Sequence, residues 1–306
     1  MILSVCPNPS VDTYWNLHGP LQASKTHRIG SEQRFPGGKG VHVALAVAEL
    51  GEASALLGYW AGATGDWLRD QCNNLGVACH GPSIPGMNRT CLTLRTDDAA
   101  WRDTEFLGPG PQLRPEDYQT FLHEYEKLLE QASIVVLSGS WPPGAPADPY
   151  GPLIDLANSK GIPAWLDCSG DVLQQALPHK PYGLHLNKKE ASDGLPAGYD
   201  GAAEKYYLQF VQALALTAGK DGLYLSTPSA TIHASCRLEQ IVSAVGSGDC
   251  LTAGLAVGQY RGQNFEQIAR LGASCGSANC LREDLGMLYR KDVEELLSRV
   301  VVSTAP

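Results

Sequence analysis

Short apolar runs, each followed by a Gly- or Pro-containing turn and an amphipathic stretch, recur along the chain. Ile2–Cys6 reads as a strand, and Val41–Leu50 as a helix opening directly after Gly37-Gly38-Lys39-Gly40. Ala53–Tyr59 predicts a second strand and Asp66–Asn74 a helix. Ser133–Leu137 and Pro163–Asp167 predict further strands, preceded by helices near Pro115–Glu130 and Pro149–Ser159. Ala213–Thr217 reads as a strand followed by the pair Leu223–Ser226 and Thr231–Ala234. Helices near Ser247–Tyr260, Phe265–Leu281 and Lys291–Val300 close the chain. Strands that alternate with helices imply right-handed crossovers and a mostly parallel sheet covered on both faces.

Two segments break the alternation. Asp12–Phe35 and Arg89–Leu107 lack helical periodicity and carry short alternating stretches such as Cys91-Leu92-Thr93-Leu94-Arg95. They read as antiparallel strands inserted at about residues 12–35 and 89–107 of a single α/β unit spanning 1–306. Paired with each other, they would form a small sheet over the strand ends, where open α/β sheets bind ligands. That makes them a lid.

Composition narrows the class. The 306 residues are 43% hydrophobic and 18% charged, too apolar for disorder. A net charge of −9 and a pI near 5.3 argue against nucleic acid or an anionic membrane as partner, while allowing a local basic pocket. The N-terminus has neither a basic segment nor a long apolar run, and no stretch is long enough to span a bilayer. The nine cysteines are scattered, none in a Cys-x-x-Cys pair, and no His-Glu-x-x-His occurs, so zinc has little support. These features predict a cytoplasmic protein whose cysteines are mostly buried thiols.

The most informative stretch is Val245-Gly246-Ser247-Gly248-Asp249, which leads into an apolar helix. Its glycines allow a tight turn that exposes consecutive amides, and the helix N-terminus adds partial positive charge, so a phosphate or developing anion is stabilised there. An acid in an anion site makes sense if Asp249 takes a proton from an attacking hydroxyl. The alternative is an ordinary helix cap satisfying orphan amides. Pro36-Gly37-Gly38-Lys39-Gly40 lets a ligand approach backbone beside a point charge, and it is no Walker A loop, since Gly-x4-Gly-Lys-[Ser/Thr] occurs nowhere. Thr217-Ala218-Gly219-Lys220-Asp221-Gly222 is either a plain turn or a place for a nucleotide to lie against backbone. His80, His123 and His179 read as surface or loop residues without partners.

In their order these motifs resemble the phosphofructokinase-B family of ribokinase-like sugar kinases across essentially the whole chain. Asn8-Pro9-Ser10-Val11-Asp12 looks like the family's opening motif, and Pro36–Gly40 like its first glycine signature. Ser138-Gly139-Ser140-Trp141-Pro142-Pro143-Gly144 looks like its Ser-Gly-Ser-x-Pro-x-Gly, and Val245–Asp249 like its second signature. Asn88-Arg89-Thr90-Cys91, Thr104-Glu105, Gly110-Pro111 and Leu166–Gly170 resemble the tagatose-6-phosphate kinase and 1-phosphofructokinase branch in particular.

The resemblance implies a three-layer α/β/α core with a small β-sheet lid that can pair two copies into a homodimer. It implies Asp249 as catalytic base and the Gly246, Ser247 and Gly248 backbone as anion hole. Asp12, Gly37, Gly38, Lys39 and the residue at 42 would hold the sugar, with Arg89, Ser138 and Lys39 facing its existing phosphate. Asn187 and Glu190 would support Mg²⁺ and the ATP phosphates, Glu190 as the metal carboxylate. Thr217, Gly219 and Gly222 would line the nucleotide and Asn279 flank the adenine. A monovalent cation would sit on backbone near Val245 and Glu283–Gly286.

The chain departs from the family pattern at three places. His42 stands where the family usually has Asn, and either faces the pocket, altering the preferred sugar, or turns into the core. His185-Leu186 replaces the usual Lys-Pro before Asn187, and the segment between Glu190 and Ala213 is short. The expected activity is ATP-dependent phosphorylation of a ketohexose phosphate (fructose 1-phosphate, tagatose 6-phosphate or fructose 6-phosphate) to the bisphosphate. The alternatives are a kinase for an unphosphorylated sugar or nucleoside, and a non-catalytic metabolite-binding protein of the same fold.

Overall fold

The computed structural model describes residues 1–102, 104–284 and 286–305, with Ala305 by its backbone alone. Its main sheet has ten strands in the order Val301–Ala305, Thr231–Ser235, Leu223–Ser226, Ala213–Thr217, Gly183–Asn187, Ala164–Asp167, Ile134–Ser138, Ile2–Cys6, Ser54–Gly58 and Ala78–His80. All pairs from Ala213–Thr217 to the Ala78–His80 edge are parallel, and the three pairs on the other side of Ala213–Thr217 are antiparallel. Ile2–Cys6 is buried along its whole length, as a strand covered on both faces must be, which is why it reads as an unbroken apolar run.

Helices cover both faces, giving the three-layer α/β/α arrangement expected. On one face Lys39–Glu49, Ser247–Tyr260, Phe265–Asn279 and Arg290–Leu297 pack Val43, Val47, Leu255 and Leu271 against the sheet. On the other, Pro115–Leu129 and Gly151–Ser159 pack Phe121, Tyr125, Leu153 and Ile154 against Val135 and Leu137. Local chemistry starts these helices where the sequence suggests. Pro115 takes the first turn, where its missing N–H is no loss, and Asp117 accepts from the Arg114 amide at 2.9 Å. Asn264 and Gln267 cap each other's backbone reciprocally.

The second sheet has the order Ser31–Gly37, Ser10–Leu17, Arg89–Thr96 and Glu105–Leu107. Its central pair, Ser10–Leu17 with Arg89–Thr96, is parallel, where antiparallel pairing throughout was the expectation. Ser10 follows Ile2–Cys6 directly, and Arg89 follows a separate short parallel pair, Trp60–Ala61 with Ser83–Ile84. Asn88 fastens this junction: its Oδ1 accepts from the Ala61 amide at 2.7 Å, and its Nδ2 donates to the Tyr59 carbonyl at 2.9 Å.

Several elements differ from the sequence-based expectation. The strand Gly183–Asn187 escapes it because His185 interrupts a run of only five residues, and Val301–Ala305 is an added antiparallel edge. Two short helices, Lys188–Asp193 and Ala203–Tyr207, fill the segment after Glu190. His179 is not partnerless: Asp148 and Asp155 lie 2.9 Å from its two ring nitrogens, Asp148 just before the helix Gly151–Ser159 and Asp155 within it. All nine cysteines are free thiols, six of them buried. No helix among the described residues is long and apolar enough to cross a membrane.

Candidate active site

A cavity of about 1520 Å³ opens at the C-terminal ends of the parallel strands, under the second sheet. Residues at or just past those ends line its floor, among them Cys6, Gly139, Cys168, Asn187 and Thr217. Asp12, Arg89, Thr93 and Glu105 reach it from the second sheet. It lies where the topology of an open α/β sheet places ligands.

Lys39, the first residue of its helix, extends across the floor so that Nζ lies 2.7 Å from Asp167 Oδ1 and 3.8 Å from Glu190 Oε1. Burial works against the ammonium charge, but Asp167, Asp249 and Glu190 outweigh it and hold the group above the ordinary lysine range. Burial would likewise raise the Asp167 carboxyl, yet the charges of Lys39 and His185 hold it well below the carboxylate range. His185 stands on the far side of Asp167, its Nδ1 3.2 Å from Oδ2 and its Nε2 3.4 Å from Thr217 Oγ1.

The helix Ser247–Tyr260 points its N-terminus at the cavity. Gly246 precedes it in the left-handed region at φ 84°, which favours glycine. The amides of Gly248 and Asp249 lie in the first turn, where no acceptor exists within the helix. The Ser247 amide, expected to join them, instead donates to the Ala244 carbonyl at 3.2 Å. Asp249 is buried and does not cap its helix. Its Oδ2 accepts from His42 Nδ1 at 2.7 Å, so the side chain serves another partner than the orphan amides of its helix. Burial raises the Asp249 carboxyl and His42 pulls it back, leaving it above the ordinary carboxylate value.

His42 faces the site rather than the core behind its helix. Its Nε2 lies 3.6 Å from Asp12 Oδ2. Burial disfavours the charged ring, but the hydrogen bond to Asp249 and the negative charges of Asp249 and Asp12 prevail and raise its pKa to about 10. The ring fits because the loop against it is bare: a Cβ on Gly286 would lie 2.1 Å from the imidazole, and one on Gly246 would lie 2.4 Å from Gly286 Cα.

Of the other expected residues, Gly38, Arg89, Thr217, Gly219 and Gly222 line the cavity. Arg89 Nε donates to the Asn8 carbonyl at 3.0 Å, and the residue makes no ion pair among the described residues. Asn187 and Glu190 also line it and cap one another: Glu190 Oε2 accepts from the Asn187 amide and Asn187 Oδ1 from the Glu190 amide, each at 2.9 Å. This leaves Glu190 Oε1 toward Lys39 and the cavity.

Three expected residues stand apart. Gly37 does not line the cavity: its α-carbon backs the Asp12 carboxylate, where any Cβ would collide with it. Ser138 is fully buried at its strand end, and Gly139 and Ser140 line the wall in its place. Asn279 is buried with Nδ2 donating to the Met287 carbonyl at 2.8 Å, so Gly276, Ser277 and Cys280 form that part of the wall. Of the loop Glu283–Gly286, Leu285 lies outside the described residues, as does Asp103 of the second insertion. Sequence reasoning gave Asp167 no role in the site, although it lies in the Leu166–Gly170 motif and closes the apolar strand Trp165-Leu166-Asp167.

The chain is 29% identical to the 1-phosphofructokinase of Bacillus subtilis (strain 168), over 99% of both chains. Phosphofructokinase-2 from Escherichia coli in complex with fructose-6-phosphate superposes with a TM-score of 0.86 at 22% identity, covering 97% of this chain and 98% of that one. The same enzyme has also been solved with potassium and as a tetrameric inhibited form. Arabidopsis thaliana ribokinase complexed with ribose and ATP gives a TM-score of 0.76 at 20% identity, covering 97% and 98%. Residues 8–288 match the model of the pfkB family carbohydrate kinases, and the chain belongs to that family of ATP-dependent sugar kinases.

Proposed function

We propose that the protein transfers the γ-phosphoryl group of ATP to a hydroxymethyl group of a phosphorylated ketohexose, giving the bisphosphate. Fructose 1-phosphate, tagatose 6-phosphate and fructose 6-phosphate are the candidate acceptors. The observation that carries this reading is the position of Asp249, a buried carboxylate beside open first-turn amides and in the same cavity as the Arg89 cation. The carboxylate takes the hydroxyl proton as the sugar oxygen bonds to phosphorus and the bond from phosphorus to the departing ADP oxygen breaks. Fixed amides at the helix N-terminus stabilise the phosphoryl charge without reorganising. Arg89 grips the existing phosphate with parallel hydrogen bonds, and Asp12 holds sugar hydroxyls.

The nucleotide lies along Thr217, Gly219 and Gly222. Glu190 suits magnesium, a hard cation that often takes a single protein carboxylate and completes its shell with phosphate and water oxygens. When bound, magnesium neutralises phosphate charge. A monovalent cation near Val245 is the parallel to the potassium-bound relative. The second sheet acts as lid, and its exposed Trp101, Phe106 and Leu107 suit a homodimer contact. Nine free thiols fit a reducing, cytoplasmic setting.

The test is ADP release with Mg-ATP over the three ketohexose phosphates, the free sugars and nucleosides. Turnover confined to one phosphosugar is the expected result. Turnover on free sugars or nucleosides alone would overturn the phosphosugar assignment and favour the unphosphorylated acceptor.

A further inference from the structure

We propose that His42 is a positioning residue for phosphoryl transfer, tying the carboxylate that receives the proton to the carboxylate that receives the sugar. The inference rests on Asp249 as base and on Asp12 as sugar ligand, and deepens that reading.

The imidazole is buried between two elements that each present an acid. Asp249 comes from the helix Ser247–Tyr260, with Oδ2 at 2.7 Å from Nδ1. Asp12 comes from the strand Ser10–Leu17, with Oδ2 at 3.6 Å from Nε2. Among the described residues of the loop on the third side, the Gly286 backbone lies against the ring, and Lys39 on the same helix as His42 is turned to Asp167. Both carboxylates are acceptors, so the ring meets both only with a proton on each nitrogen.

The two contacts are unequal. Nδ1 is fully engaged, whereas Nε2 is buried and has no hydrogen-bond partner within ordinary geometry. Asp12 is oriented from behind by Ser10, whose hydroxyl donates to Oδ1 at 2.6 Å, leaving Oδ2 toward the ring. A line of neighbouring groups, Ser10–Asp12–His42–Asp249, hydrogen-bonded except at the Nε2 contact, therefore runs from the second sheet to the helix N-terminus.

Two consequences follow for the reaction. With Oδ2 of Asp249 taken by His42, Oδ1 is the oxygen left to accept the hydroxyl proton, so the ring selects the reacting atom. The sugar, settling on Asp12, acts on the residue that holds the base, with the loose Nε2 contact as the part able to tighten.

The experiment combines kinetics with nitrogen NMR of the His42 ring in the substrate-free protein. His42→Ala should lower kcat about 10- to 100-fold, the usual effect of misplacing a reacting group, with KM for ATP unchanged. His42→Asn retains a donor without a charge and should regain part of that loss. In both variants the acid limb of the kcat profile should move to higher pH, because a cation beside Asp249 has gone. In the substrate-free protein, Asp249→Asn should shift the Nδ1 resonance and lower the pH at which the ring titrates. Wild-type kcat with an unmoved acid limb in both His42 variants overturns the inference, and so does a ring indifferent to Asp249→Asn. A wild-type enzyme inert on every phosphosugar overturns the phosphosugar reading instead, and the NMR arm still decides the link between His42 and Asp249.

Discussion

Lys39 and Asp167 form an ion pair 2.7 Å long across the cavity floor, with the carboxylate wholly buried and the ammonium partly open to the cavity. The lysine of the glycine-rich turn is thus already neutralised before any ligand arrives. A phosphate reaching it must share the charge with Asp167, so Lys39 contributes less to anion binding than a lone cation would. Arg89 carries no such counter-charge among the described residues, which makes it the stronger candidate for gripping the substrate's phosphate.

Arg89→Ala should therefore raise KM for the phosphosugar about 10-fold or more while leaving KM for ATP nearly unchanged, as expected for losing a charge-assisted hydrogen-bonding group. Arg89→Lys should recover only part, since an ammonium cannot form the paired contact. Steady-state kinetics with each substrate varied separately checks both. A loss confined to kcat would remove Arg89 from phosphate recognition.

Asp249→Asn should lower kcat by about 10²- to 10⁴-fold, the range for a general base. ATP affinity, read by calorimetry, should stay near the wild-type value. Turnover close to wild type would exclude Asp249 as proton acceptor.

Stability should depend on pH through the same network. His42 rises from its ordinary 6.5 to about 10 in the folded chain, so the stability it contributes is complete below about pH 6.5 and fades as pH climbs through 10. Asp167 is shifted the other way, below its ordinary 3.8, so its contribution is complete above that value and is lost as pH falls further. Melting temperatures of wild type and His42→Asn should differ most near pH 6 and converge toward pH 10. A constant difference across that window would contradict the linkage.

Asn88→Leu should destabilise the fold by about 2–3 kcal/mol, because it orphans the buried Ala61 amide and the Tyr59 carbonyl at the junction of the two sheets. Urea unfolding measures the loss. A change below about 0.5 kcal/mol would mean that these groups find other partners.

Much of this architecture is written locally, and the remainder is not. Ile2–Cys6, Ala213–Thr217, Leu223–Ser226 and the helix Ser247–Tyr260 lie where the apolar pattern puts them, since burial on both sides leaves a continuous hydrophobic signal. Gly183–Asn187 does not, because the residue that breaks its run, His185, is one the site employs. Alternation marks faces but not direction, so the parallel pairing of Ser10–Leu17 with Arg89–Thr96 could not be read from it. The glycine signatures announce where Asp249 and Lys39 sit. What those side chains touch depends on partners far away in the chain: His42 for one, Asp167 for the other. Ser138 and Asn279 show the reverse case, in which a motif marks the right wall and a neighbouring residue forms its surface.

Gly246, Gly286 and His42 fill one another's space, since a single methyl on either glycine would overlap the neighbouring backbone or the ring. Neither glycine can gain a side chain while the histidine and the loop stay as they are. A chain that gained a side chain at 286 would have to give up the histidine, and one that reverted to a smaller residue at 42 would leave a void under that loop. The tolerance of position 42 to change is therefore set near the opposite end of the sequence, and substitutions there should arise in lineages as matched pairs.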